Sequence, residues 1–276
     1  MDEQYIDELQ QAENEFNKKN YSAAFNIFFE LAHKNCVQAQ YRLAQMYEFA
    51  RSVEENPQQA FYWYEKAAQN GHTFAQHNLA SSYDTGYGVE QNEKQAIFWY
   101  EKAAEQGDML SQSILGFYYF NALKGVQQNV EKAIKYWQLA VNSGDEQAEK
   151  HLALVYLEGK YIQQNTQLGM SLLKKSVKKG DNYALLKLGE IWEKGLYGLP
   201  KEEKKALELY KLFIQDENNE DKFYHSYKSV LCRIVKMYIE SRGTEQNLKQ
   251  AKKYLSKISK YSKEYKELKQ LLNKMS

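Results

Sequence analysis

The sequence repeats itself with a step near 36 residues, and this restricts the fold more than any other feature. Gly71, Gly107, Gly144 and Gly180 share that spacing, as do Tyr47, Tyr83, Tyr119, Tyr156 and Trp192. Leu43, Leu79, Leu115, Leu152 and Leu188 form a third ladder in the same phase, and Ala60, Ala96, Ala133, Gly169 and Ala206 a fourth. A period of this length means that each copy is one small unit that cannot bury its apolar side alone and must stack on its neighbours.

Each copy reads as two helices. Between Phe74 and Gly107, one stripe at helical spacing is Ala75, Leu79, Ala80 and Tyr83, and a second is Ala96, Trp99, Tyr100, Ala103 and Ala104. Gly86-Tyr87-Gly88-Val89 divides them, with glycines where the backbone needs a positive φ. Asn92 is the predicted N-cap of the second helix, with Gln95 placed as in a capping box. Asn56 (ahead of Pro57), Asn129, Asn165 and Asn247 recur at that place. Gly107 fits a left-handed C′ position, and Asp108 then caps the next first helix; Asp145 and Asp181 repeat the step. Ala44, Ala80, Gly116, Ala153 and Gly189 follow the ladder leucine. Their small size lets helix axes approach to roughly 8 Å, with an aromatic of the neighbouring turn filling the space that remains. Most of the 23 tyrosines read as core plates with a wet hydroxyl.

Composition agrees. Only 2 prolines and 14 glycines interrupt a chain that is 43% hydrophobic, so long stretches of helix can run and a core can form. The expected fold is all-α: a right-handed α-α superhelix, or solenoid, of about seven helix-turn-helix repeats with a C-terminal capping helix. It is expected to be a single domain over 1–276. Residues 1–36 would be a looser tetratricopeptide-like repeat carrying Ala12, Phe16, Tyr21, Ala24, Phe28 and Leu31. Residues 37–215 would hold five regular repeats, and 216–276 a divergent last repeat and the cap. The acidic stretch Asp216 to Asp221 lengthens the connection there, and Lys260 to Lys274 reads as the capping helix.

The net charge of +1 argues against a nucleic-acid binder. Residues 1–60 carry roughly −5 and residues 247–276 about +7, which reads either as solvated helix faces or as two ends that dock oppositely charged partners. Cys36 and Cys232 lie far apart and read as buried free thiols in a reducing compartment. An acidic amino terminus without an apolar stretch, and no long apolar window, predict a cytoplasmic chain without a membrane span.

The run from Gln95 to Ala104, with Trp99-Tyr100 and Lys102-Ala103-Ala104 ahead of Gly107, resembles the Sel-one-like repeat family. This is a branch of the tetratricopeptide-like helical repeats. Gln59 to Ala68 ahead of Gly71 matches equally well. The resemblance is strong over residues 37–145, fair to 215 and weak beyond. Ala50-Arg51-Ser52-Val53 lacks the loop glycines, Gly159-Lys160-Tyr161-Ile162 keeps one, and Leu172-Leu173 replaces the aromatic pair. The family implies scaffolding of protein complexes. Some bacterial members resemble immunity proteins that neutralise a toxin, and some cysteine-rich members resemble enzymes, but the regular cysteine pairs of the latter are missing here.

No catalytic residue, metal site, cofactor or small-molecule substrate is expected. His33, His72, His77, His151 and His225 make no ligand pairing, and no nucleophile elbow or dinucleotide loop is present. The expected activity is therefore protein binding, the partner being a peptide segment or small folded domain, with toxin neutralisation as the alternative and catalysis a remote one. First helices of stacked pairs usually line the concave side. Positions two before and two after the ladder leucine are Tyr41 and Gln45, His77 and Ser81, Ser113 and Phe117, Lys150 and Leu154, and Leu186 and Glu190. One turn on lie Glu48, Asp84, Phe120, Leu157 and Glu193, and Phe74, Leu110 and Tyr183 sit at the near edge. For each residue, groove lining and packing against a neighbouring helix remain open.

Overall fold

The computed structural model describes residues 3–216, 219 and 223–275. Among these the chain is all-α, without a strand. Its helices are α1 (Ile6–Asn17), α2 (Tyr21–His33), α3 (Val37–Glu48), α4 (Pro57–Gln69), α5 (Thr73–Thr85), α6 (Glu93–Glu105), α7 (Met109–Asn121), α8 (Val130–Asn142), α9 (Glu146–Glu158), α10 (Thr166–Lys178), α11 (Asn182–Lys194), α12 (Glu203–Gln215), α13 (Tyr224–Ile239), α14 (Leu248–Leu255) and α15 (Lys263–Lys274). Of the stretch Asp216 to Asp221, residues 217, 218, 220 and 221 lie outside the described residues. The chain divides into two compact units, Met1–Ala148 and Glu149–Ser276.

In the first unit each helix packs on the next in sequence, from α1 to α8. The core is one run of ladder residues, including Leu43, Ala44, Ala60, Tyr64, Ala75 and Leu79, all nearly inaccessible. The predicted caps form. The side-chain oxygens of Asn56, Asn92 and Asn129 accept from the backbone N–H three residues on, at 2.9–3.1 Å. Asp108 does the same for Ser111 at 2.7 Å. Helix α6 ends in a Schellman motif: Gly107 N–H reaches Ala104 O and Asp108 N–H reaches Ala103 O, both at 3.0 Å, with Gly107 at φ +91°. The small residues act as the sequence suggests, since Gly116 lies against the fully buried Trp137 indole.

The loop between α5 and α6 shows why glycine recurs there. A β-carbon on Gly88 would fall 2.0 Å from the Pro57 carbonyl oxygen at the start of α4. The earlier loop has no glycine, yet Ala50 and Ser52 adopt φ +51° and +69°.

One buried ladder is not evident from helix periodicity. Gln40, Gln76 and Gln112 are nearly inaccessible, and each donates through Nε2 to a last-turn carbonyl of the preceding second helix: Ala32, Ala68 and Ala104, at 3.1–3.3 Å. Each of these carbonyls also accepts the backbone N–H three residues on, from Asn35, Gly71 and Gly107, so the glutamine supplies a second donor at the helix end.

In the second unit α9 packs on α10 through Gly169, where a β-carbon would meet Leu157 and the Ala153 carbonyl. Helices α10 to α13 continue the stack, and α14 and α15 pack on α13 and on each other. Phe213, Ile234, Val235, Ala251, Leu255, Leu268 and Leu272 lie in one core, so α15 closes the end of this unit. Gly189 meets the Tyr210 ring as Gly116 meets Trp137. Glu149 stands at the place of the buried glutamines. Its carboxylate is inaccessible and pairs with Lys175 on α10 at 2.5 Å and with Lys179, the C-cap of that helix, at 3.2 Å.

Cys36 is buried, but Cys232 is only half-buried, which corrects the expectation of two buried thiols. Cys232 packs against the edge of the core of this unit, near Lys228 and Glu264, and burial of its sulfur raises its pKa. No helix among the described residues is long and apolar enough to cross a membrane.

Candidate interaction surface

The first-helix positions predicted to face a groove divide into three groups. Of the residues two before the ladder leucine, Tyr41, His77 and Lys150 reach the next repeat. The Tyr41 ring stacks on His72 with centroids 4.3 Å apart. His77 Nδ1 lies 2.9 Å from Ser111 Oγ and 3.0 Å from Asp108 Oδ2. In the second unit Lys150 Nζ lies 3.5 Å from Asp181 Oδ2. His72, Asp108 and Asp181 are N-caps of the following first helices, so these contacts tie successive repeats together. Burial alone would raise the Asp108 carboxyl, but hydrogen bonds from His77 and Ser111 hold it below the ordinary carboxylate value.

Residues one turn beyond the leucine face inward, and Leu157 is fully buried core rather than groove lining, which corrects the expectation for it. Glu48 accepts from the Tyr64 hydroxyl. Asp84 is buried, accepts from Tyr118 and pairs with Lys124 at 2.7 Å. Phe120 lies 5.2 Å from the Trp137 ring. Burial and the nearby carboxylates push Tyr64 and Tyr100 well above the ordinary phenol range. In the second unit Glu193 accepts from Tyr210 and pairs with Arg233 and, at 3.0 Å, with Arg242. Burial would raise Glu193, yet the Tyr210 hydroxyl and the two guanidinium groups hold it below the usual carboxylate range.

The third group reaches solvent. Phe74 is 59% exposed, Leu110 52%, Phe117 41% and Tyr183 38%. Phe74 and Leu110 stand on α5 and α7 at equivalent places and flank an open groove of about 420 Å³, completed by Thr73, Gln106, Asp108 and Met109. Tyr41 extends the apolar strip, its ring centroid 6.3 Å from that of Phe74. Gln45, which donates to the Tyr41 hydroxyl at 3.0 Å, and half-buried Ser81 and Ser113 are polar members of the same first helices. In the second unit Tyr183 lies between the ammonium groups of Lys150 and Lys187, 5.4 and 5.5 Å from its ring centre. Leu154 is half-buried. Leu186 and Glu190 line a separate cavity of about 200 Å³ with Tyr210, His225 and Arg233. Periodicity had not singled out Phe49, Tyr62 and Phe98, which are also exposed. Tyr62 and Phe98 precede the ladder tryptophans on second helices, so an aromatic just off the buried stripe was the available signal.

Paired helices at a 36-residue step, capped by asparagine and ended by left-handed glycine, with apolar side chains left open on the first helices, define a tetratricopeptide-like helical-repeat protein. The chain belongs to the Sel1 repeat family, whose model matches residues 37–72, 73–108, 110–145, 147–181, 182–215 and 231–260. The last match places a recognisable repeat in the divergent C-terminal region. Sel1 repeats typically mediate protein–protein interaction and are generally non-catalytic scaffolds.

A Sel1 repeat protein from Oxalobacter formigenes is similar in structure at a TM-score of 0.72 and 25% identity, over 93% of this chain and 99% of that one. A protective antigen present in uropathogenic Escherichia coli strains, displaying an SLR fold, also scores 0.72 at 23% identity, over 84% of this chain, which spans 47% of the antigen's length. These likenesses concern the fold. An immunity protein from Pseudomonas aeruginosa is similar only at a TM-score of 0.39 and 19% identity, over 87% of this chain and 81% of that one, and has no bearing on function here. No curated protein matches the chain.

Proposed function

We propose that this protein is a non-catalytic adaptor that binds a protein segment along the first-helix strip of Met1–Ala148, with Phe74 and Leu110 as its apolar anchors. The exposed pair around one open groove carries the reading: apolar anchors set among polar neighbours are how protein interfaces concentrate their energy. The unit is acidic, with 11 Lys and Arg against 20 Asp and Glu over residues 1–148, a net of −9. A segment carrying apolar side chains and basic flanks complements it. Tyr41 and Phe117 supply further apolar surface at the strip's edges. Tyr183 and Leu186 are the corresponding candidates in the second unit.

The test is affinity purification from the native cell with wild-type protein and with a Phe74→Asp/Leu110→Asp variant. A protein recovered stoichiometrically by the first and lost with the second supports the reading, provided circular dichroism shows the variant folded. Equal recovery by both removes the groove from the interface. The partner's identity then separates a general adaptor from a protein that neutralises one toxin.

A further inference from the structure

We propose that the lysine-rich end of Glu149–Ser276, built by α14, α15 and the turn between them, docks on an anionic lipid surface. The two units are oppositely charged: residues 149–276 carry 26 Lys and Arg against 16 Asp and Glu, a net of +10. Much of that excess is concentrated after Leu248, where nine lysines face two glutamates. Both glutamates are engaged, Glu264 with Lys228 at 2.8 Å and Glu267 with Lys263 at 3.7 Å. Lys252, Lys253, Lys257, Lys260, Lys266 and Lys274 are exposed, and among the described residues none has a carboxylate within ion-pair distance. Packing explains why they share the outside. Helix α14 buries Ala251 and Leu255, and α15 buries Leu268 and Leu272, so both turn their lysines to solvent.

The composition of this surface selects the partner. After Arg242 the chain has no arginine. Arginine, with its planar fork, is enriched where proteins meet proteins or read bases, whereas lysine is depleted at protein interfaces and acts as a hydrated point charge. A layer of anionic headgroups asks for that kind of charge. Tyr261, 93% exposed in the turn between the two helices, adds an amphipathic ring of the kind that settles at a headgroup boundary. Beside it Lys257, Tyr224, Ser259 and Ser262 border a cavity of about 280 Å³, a recess into which a single headgroup can enter.

The experiment is co-sedimentation of the full chain with vesicles of one part phosphatidylglycerol to two parts phosphatidylcholine, and with pure phosphatidylcholine vesicles, at low and high salt. The proposal expects sedimentation with the anionic vesicles only, and its loss at high salt. Each ammonium is worth about fivefold in affinity, so Lys252→Gln/Lys253→Gln/Lys260→Gln/Lys266→Gln should weaken binding more than a hundredfold. Removing the same charge elsewhere in the unit, by Lys174→Gln/Lys178→Gln/Lys194→Gln/Lys204→Gln, should change it only a few-fold. Equal loss in the two folded variants would mean that net charge acts rather than this surface. No preference for anionic vesicles, or tighter binding to a random DNA duplex than to the vesicles, would also overturn the proposal.

Discussion

Gly116 on α7 lies so close to the Trp137 indole on α8 that a β-carbon there would sit 2.4 Å from the ring. Trp137 is almost fully buried and cannot swing away cheaply. Gly116→Ala therefore sets two effects against each other. Alanine raises helix propensity by about 1 kcal/mol. Overpacking against a closed core costs about 1–3 kcal/mol, and the clash should win. Thermal unfolding is expected to show a lower Tm for this variant, while Gly116→Ala/Trp137→Phe recovers part of the loss by relieving the contact.

The loop after α3 offers the opposite case. Ala50 is held at φ +51° just past the helix end, and Arg51 N–H bonds back to Met46 O at 2.9 Å, so a glycine-type termination forms without its glycine. Ala50 is exposed and only its backbone matters there. Ala50→Gly should stabilise the protein by about 0.5–1 kcal/mol, raising Tm by a degree or more. Gly88→Ala should do the reverse with a larger magnitude, because a β-carbon there strikes the Pro57 carbonyl. Parallel scanning calorimetry of the two variants would show both signs.

The repeat, the caps and the close approach at Gly116 and Gly189 were legible because short-range spacing encodes them. The stacking offset between repeats is not written in the period. Tyr41 stacks on His72 and His77 meets Asp108, each 31 positions on, and only three-dimensional packing decides that first-helix residues of this kind spend their polar or aromatic surface on the next cap. The sequence places Asp84 among the groove positions because its own helix leaves it off the stripe, whereas Tyr118 and Lys124, from later elements, enclose it. Phe74 and Leu110 stood apart in the sequence because each is apolar and lies off its helix's buried stripe.

Leu79 and Phe74 share a helix and should respond in opposite ways. Leu79 is fully buried among the ladder residues, and Leu79→Ala should cost about 2–5 kcal/mol through the cavity it leaves. Phe74→Ala removes an exposed ring, so stability should shift by less than about 0.5 kcal/mol while partner affinity falls by about 1–2 kcal/mol. Denaturant melts beside titration calorimetry with the recovered partner would separate the two; equal destabilisation would mean that Phe74 packs rather than binds.

Glu193 gives the second unit an acid sensitivity whose sign can be worked out. Its carboxylate accepts from Tyr210 and pairs with Arg233 and Arg242, so its folded pKa lies below the ordinary value of 4.5. A depressed folded pKa contributes stability that is fully present above the ordinary value and is lost as pH falls through the folded one. Unfolding of the wild type should therefore ease progressively below about pH 4.5. Glu193→Gln keeps the shape but not the charge. At neutral pH it should cost about 1.5–3 kcal/mol, the worth of hydrogen bonds to a charged group, partly offset because Arg233 retains Glu190 and Arg242 retains Glu203. Below about pH 4.5 the wild type loses the same contribution, and the two stability curves should converge. Urea melts at a series of pH values would record this; curves that stay parallel down to acid would mean that the carboxylate's charge contributes nothing to folding.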